Sequence, residues 1–193
     1  MREVGQIVRL QIQVNSLKQG QRPHRYYDPA GIRSVPALRL TNEGVVGLVD
    51  GQEIMDMHHI RHPAGKNRGS NAISINFTSH YARMRARFGP LALGCAGENL
   101  LVQTDSVLAL ADLAQGLVLV PAGGPPIHLS PATVATPCVE FSEYVLNLGE
   151  KPPATLLQET LRFLDAGTRG FYVLWSGTPV VTRPGDRLYL PAA

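Results

Sequence analysis

The chain has 193 residues, 44% of them apolar and 17% charged, which suits one globular domain able to bury a core and excludes a disordered chain. A net charge of +3 is too small to argue for a nucleic-acid partner, although it leaves room for a local anion site. Two cysteines cannot build a disulfide framework, and no apolar run has the length of a signal peptide or a membrane span; the expectation is a soluble, cytoplasmic protein with no membrane partner.

In chain order, Val8, Leu10, Ile12 and Val14 alternate with polar residues, and this period of two predicts a half-buried antiparallel strand. Lys18 to Pro36 is polar and rich in Gly and Pro, and reads as irregular loop. Val35–Leu40 and Val45–Val49 flank Thr41-Asn42-Glu43-Gly44, whose Asn and Gly accept the angles of a tight turn. Asp50 to Ser70 has no period and reads as a long loop, a kind often functional in compact domains. Asn71–Phe77 returns to strand character. Thr78 is placed to cap a helix over Ser79–Phe88, which Gly89-Pro90 stops.

Further on, Leu100–Val102 and Leu117–Val120 predict short strands, with a helical turn or two over Val107–Ala114 between them. Ile127, Leu129 and Val134 lead as an apolar, strand-like run into Cys138. Pro152-Pro153 open a second helix, with Leu157, Leu161 and Leu164 on one face and Gly167 as its stop. Phe171–Trp175, Val180-Val181 and Leu188–Leu190 close the chain as strands. Many short strands with two helices predict a mainly β, antiparallel, barrel-like fold with helical decoration.

Cys138 is the first candidate for chemistry, because a thiolate is both a nucleophile and a soft metal ligand, and Pro137 fixes the backbone before it. A free cysteine in an apolar run is more commonly a small buried hydrophobe. Cys95, in Gly94-Cys95-Ala96-Gly97, reads as structural. Glu98 and Asn99 form a turn whose carboxylate and amide suit a bound heterocycle or the turn's own backbone. Arg83 and Arg87 share a helix face, where they either clamp a phosphate or form a solvated basic face. Arg169-Gly170 places a lone guanidinium beside a residue with no side chain, an arrangement open to an anion or to a surface ion pair. His58, His59 and His62 suggest a metal, but Pro63 argues against the helix that their spacing needs. No phosphate loop, Gly-x-Ser-x-Gly elbow or paired zinc cysteines occur, which removes the commonest enzyme classes.

Taken together, Gly97-Glu98-Asn99-Leu100, then Thr136-Pro137-Cys138, then Thr168-Arg169-Gly170-Phe171-Tyr172, then Gly177 and Gly185-Asp186 resemble, in that order, the MOSC domain family. The likeness runs from the strand at Val35 to the end, so the whole chain reads as one stand-alone MOSC-like domain. The resemblance implies a β-barrel-like fold that binds the molybdenum cofactor (molybdopterin) or transfers sulfur around Cys138. Some members of the family are reductases of N-hydroxylated compounds in which the cysteine ligates molybdenum, and others are sulfur carriers. It implies Cys138 as catalytic residue and metal ligand, with Arg169, Gly170, Glu98 and Asn99 binding the cofactor and Arg169 as the partner of its phosphate. A reductase of this kind needs a separate redox partner, and a carrier needs a sulfur-donor protein. The chain departs from the family's pattern at Gly47–Gln52, and His62-Pro63-Ala64-Gly65 matches its His-Gly-Gly only loosely.

Overall fold

The alternation near the N-terminus does form a strand, β1 (Arg2–Gln13), and it organises the molecule. The computed structural model describes residues 1–65 and 73–192. The strands that follow are β2 (Lys18–Gln19), β3 (Tyr26–Tyr27), β4 (Ile32–Ser34), β5 (Ala37–Thr41), β6 (Gly44–Val49), β7 (Gln52–Met55), β8 (Ile73–Phe77) and β9 (Leu100–Gln103). Then come β10 (Leu117–Val120), β11 (Ile127–Leu129), β12 (Thr133–Val134), β13 (Phe171–Val173), β14 (Val180–Thr182) and β15 (Arg187–Leu190). The helices are α1 (Thr78–Phe88), α2 (Val139–Leu146) and α3 (Ala154–Phe163).

Among the described residues, one large sheet runs β11-β10-β15-β1-β9-β8-β13-β12, with β4 also on β1, and a smaller one runs β14-β5-β6-β7. The fold is mainly β, with the large sheet curled into a half-barrel. Its pairings are antiparallel except for β8 with β9, whose parallel register needs a crossover, and α1 lies within it. No helix among the described residues is long and apolar enough to cross a membrane.

The large sheet is buried on both faces, which changes what alternation means. Leu100 and Val102 enter the barrel core with Leu10, Ile12, Ile75 and Phe171. Leu101 points the other way, into a second cluster with Tyr27, Tyr81, Met84, Cys95 and Phe141 under the helices. On β1 this second face carries Gln11, 0% exposed, and Gln13, also buried. A bulge at Ile7/Arg9 resets the strand, so Ile7 is buried and Val8 is 38% exposed, where plain alternation put Val8 inside.

Other expectations shift as well. The segment read as irregular loop contains β2, β3, a 3-10 turn at Pro29–Gly31 and β4. The loop after Val49 contributes β7, while its end and the expected strand start at Asn71 lie outside the described residues. Phe77, not Thr78, is the N-cap of α1, without a side-chain bond; the Thr78 hydroxyl instead links to the Thr104 backbone. α3 starts after Pro153 as expected, then loosens into a π turn at Leu164–Thr168, inside which the chain leaves helical geometry at Ala166 and Gly167. α2 was not foreseen at all. Cys138 is its N-cap, so the cysteine ends an extended stretch and starts a helix.

Candidate functional site

The segment Gly94 to Asn99 lies along the inner, helix-side face of β1. Gln11 Nε2 donates to the Gly94 carbonyl and Gln13 Nε2 to the Gly97 carbonyl, both at 2.7 Å. Gly97 has φ +81, and a Cβ there would come within 2.7 Å of Gln13 Nε2. The small residue is therefore required by this stitching, and it delivers Glu98 and Asn99 to the interior.

Asn99 is fully used by the protein. Its Oδ1 accepts from the Ser74 N–H (3.0 Å) and hydroxyl (2.9 Å), and its Nδ2 donates to Gln11 O (3.2 Å) and Asp56 Oδ2 (3.1 Å). Asp56 in turn accepts from Gln13 N (2.8 Å) through Oδ2, and through Oδ1 from His58 N (2.8 Å), with His58 Nδ1 3.0 Å away. Asn99 thus ties β1, β8 and the loop after β7 together through its side-chain amide.

Glu98 is different. It is 3% exposed. The Ala96 N–H donates to the Tyr81 hydroxyl (3.0 Å), so the Tyr81 proton is directed to Glu98 Oε2 (3.1 Å). The other oxygen, Oε1, is buried and has no hydrogen-bond partner among the described residues. Burial is the main influence and raises its carboxyl to about 7, against the pull of Tyr81, Arg169 and Arg9. Glu98 lines a small cavity together with Gln13, His58, Ser74, Arg169 and Tyr172.

Arg169 follows the π turn. Its Nη2 donates to Ala96 O (3.3 Å), its guanidinium lies 5.3 Å from the centre of the Phe141 ring, and its Nε is buried with no hydrogen-bond partner among the described residues. Burial works against its charge, whereas Tyr172, Tyr27 and Cys138 act the other way, and the balance raises the pKa of the guanidinium. Gly170 serves the fold: at φ +116, a Cβ there would sit 2.6 Å from the Ile75 carbonyl, so its bare face packs on β8 and is not open to an anion.

Cys138 is half-buried, and its Sγ accepts from Phe141 N at 3.5 Å. It opens onto a separate groove of about 1140 Å³, lined on one side by Arg22, Arg25 and Tyr27 and on the other by Glu140, Tyr144 and Lys151. Lys18 and Arg25 are paired with Glu140, at 3.7 and 2.6 Å, whereas Arg22 and Lys151 have no carboxylate within ion-pair reach among the described residues. Tyr27 lines the groove, and its buried hydroxyl donates to the Cys95 carbonyl (2.6 Å). Cys95 stays structural, since burial pushes its thiol to about 11.

The remaining candidates disperse. Arg83 and Arg87 lie over the Phe163 ring (5.5 and 4.8 Å), holding α1 to α3. His59 and His62 accept from nearby backbone N–H groups, and no group of three metal ligands forms among the described residues. His58, first considered only for a metal, belongs to the Glu98 cavity. No local signal could show that, because its neighbours come from β1, β8 and the π turn.

Neither a protein-family model nor a curated protein matches the chain in sequence. Solved structures are similar to it. The YUAD protein from Bacillus subtilis has 16% identity and a TM-score of 0.58, over 95% of this chain and 93% of that one. YiiM from Geobacillus stearothermophilus has 17% identity and a TM-score of 0.54, over 97% and 75% of the two chains. YiiM from Escherichia coli has 17% identity and a TM-score of 0.50, over 100% and 71%. These are stand-alone MOSC-domain proteins, and at such identities the likeness shows the fold: this chain has a MOSC-like fold.

Proposed function

We propose that this chain binds the molybdenum cofactor through Cys138 and acts as a small reductase of N-hydroxylated compounds. The observation that carries the reading is the half-buried Cys138 thiol at the head of α2, opening onto a groove of about 1140 Å³. The donor set fits the group: a soft sulfur for the metal, unpaired Arg22 and Lys151 for a phosphate, and tyrosines for a flat ring. Arg169, buried over Phe141 and outside the groove lining, supports the sulfur's side of the site instead of the phosphate. The bound cofactor would supply two-electron redox chemistry, with electrons from a separate carrier protein. The chain's own residues hold the sulfur at the head of α2 and set the charge around it.

Metal and pterin analysis of protein made in a molybdenum-replete host tests this. Cys138→Ser loses molybdenum, because an alcohol at neutral pH is neither soft nor ionised, while Cys95→Ser retains it. Equal retention in both variants overturns the role of Cys138. The 3.5 Å contact of its sulfur with Phe141 N favours a second reading, a sulfur carrier, because a helix N-terminus stabilises an anionic sulfur without any cofactor. Mass spectrometry of protein exposed to a sulfur donor would then show one added sulfur on Cys138 and no bound molybdenum.

A further inference from the structure

We propose that the opening where β1 changes partners binds a medium-chain aliphatic monocarboxylate, with Arg9 holding the carboxylate. The inference stands apart from the cofactor reading, because this opening shares no lining residue with the groove at Cys138. β1 pairs with β15 over Arg2–Gln6 and with β4 over Gln11–Gln13. Ile7 still exchanges backbone bonds with Gly185 and Asp186, and the Leu10 carbonyl already accepts from Val35 N. Between them, at Val8 and Arg9, neither β15 nor β4 is paired with β1, and the bulge at Ile7/Arg9 falls at the same place. The cleft left there has a volume of about 450 Å³, within the roughly 300–1,000 Å³ usual for small-molecule sites.

The chemistry of the cleft is one cation among hydrocarbon. Val8, Val35, Leu93 and Leu101 form its walls, and Ser34 and Pro184, both exposed, stand at its rim. Among the described residues Arg9 is the only charged one that lines it. The Nε of Arg9 is buried, and its side chain makes no hydrogen bond or ion pair with a described residue. Glu98, the acid on which it pulls, lies beyond ion-pair reach and is engaged by Tyr81. The stem of Arg9 is nevertheless held in place: Gly94 turns against it at φ +86, and a Cβ there would come within 3.0 Å of Nε. A guanidinium fixed without a counter-ion presents paired N–H donors that match a carboxylate. A single lining cation suits a monoanion, and apolar walls suit an alkyl chain, which gains about fourfold in affinity for each methylene it buries. A polar or doubly charged ligand finds neither polar walls nor a second cation there.

Titration of the full chain with sodium octanoate, followed by amide NMR, tests the inference and needs no cofactor. The expected result is saturable binding at a single site, with the largest amide shifts at Val8, Arg9, Val35 and Leu93. Heptanoate and hexanoate should bind progressively more weakly, by about fourfold for each methylene removed. Arg9→Gln should weaken octanoate by about tenfold or more, with the melting temperature nearly unchanged. Ser34→Glu places a carboxylate at the exposed rim and should exclude octanoate while leaving the core untouched, so it decides the matter if Arg9→Gln fails to fold. Octanol binding as tightly as octanoate overturns the role of Arg9. Equal octanoate affinity in the wild type and Ser34→Glu, shifts confined to the groove around Cys138, or shifts that never saturate overturn the site itself.

Discussion

Asn99 and Glu98 are neighbours in the chain with opposite fates. The amide of Asn99 makes four internal contacts, and Asp56, Ser74 and Gln11 complete the set around it. One residue earlier, Glu98 has one oxygen engaged and the other buried without a partner, beside an arginine in the same condition. A satisfied buried polar cluster specifies a backbone arrangement. An unsatisfied buried acid costs stability, and a fold tolerates that where the group has work to do. The difference separates a fully satisfied polar side chain from a half-satisfied one within a single turn.

The sharpest way to break the comparison is to open the scaffold side. Asn99→Ala leaves the Ser74 N–H, the Gln11 carbonyl and one Asp56 oxygen short of partners in the interior. A loss of about 3 kcal/mol in chemical denaturation is expected, nearly independent of pH. A loss under 1 kcal/mol would show that water replaces these bonds.

Glu98→Gln probes the other side, and its signature is pH dependence. The folded carboxyl titrates at about 7, above its ordinary value of 4.5. Between those values the folded state binds the proton that the unfolded state has released. Stability from this group is therefore complete below about 4.5 and is lost as pH rises through about 7, on the order of 3 kcal/mol in all. The glutamine variant, which stays neutral, should show a flatter stability curve from pH 5 to 8. Identical curves would place Glu98 in contact with water.

Arg169→Lys keeps the charge but gives up the guanidinium contact over Phe141 and the bond to Ala96 O, an expected cost of about 1 kcal/mol by thermal melting. A larger loss of molybdenum than of stability in this variant would return Arg169 to the cofactor itself. The smallest effect is expected for Arg87→Lys, about 0.5 kcal/mol, because the exposed contact with Phe163 is partly replaced by solvent and by the remaining Arg83.

Much of the architecture was legible because it is local. The turn at Thr41–Gly44, the strands at Leu100 and Leu117 and the two helices broken by Gly89-Pro90 and Gly167 all follow from periodicity and from residues that stop it. The order of Gly-Glu-Asn, Pro-Cys and Arg-Gly-Phe-Tyr also pointed to the fold that the solved structures share. What lay beyond the sequence depends on partners far away in the chain. Gln11 and Gln13 look solvent-facing in an alternating strand, yet they are buried because a segment some 80 residues later covers them. The start of α2 at Cys138 is set by the sulfur and carbonyl of Cys138 accepting Phe141 and Ser142, in a stretch whose apolar content reads equally well as strand. The meeting of Glu98, His58 and Arg169 rests on the parallel pairing of β8 with β9 and on the π turn after α3. The sequence alone determined most of the longer strands, helices α1 and α3, and the choice of Cys138 as the thiol to test. Only the tertiary structure decided which polar atoms find partners, because desolvation acts on a side chain through everything packed around it, whatever its distance along the chain.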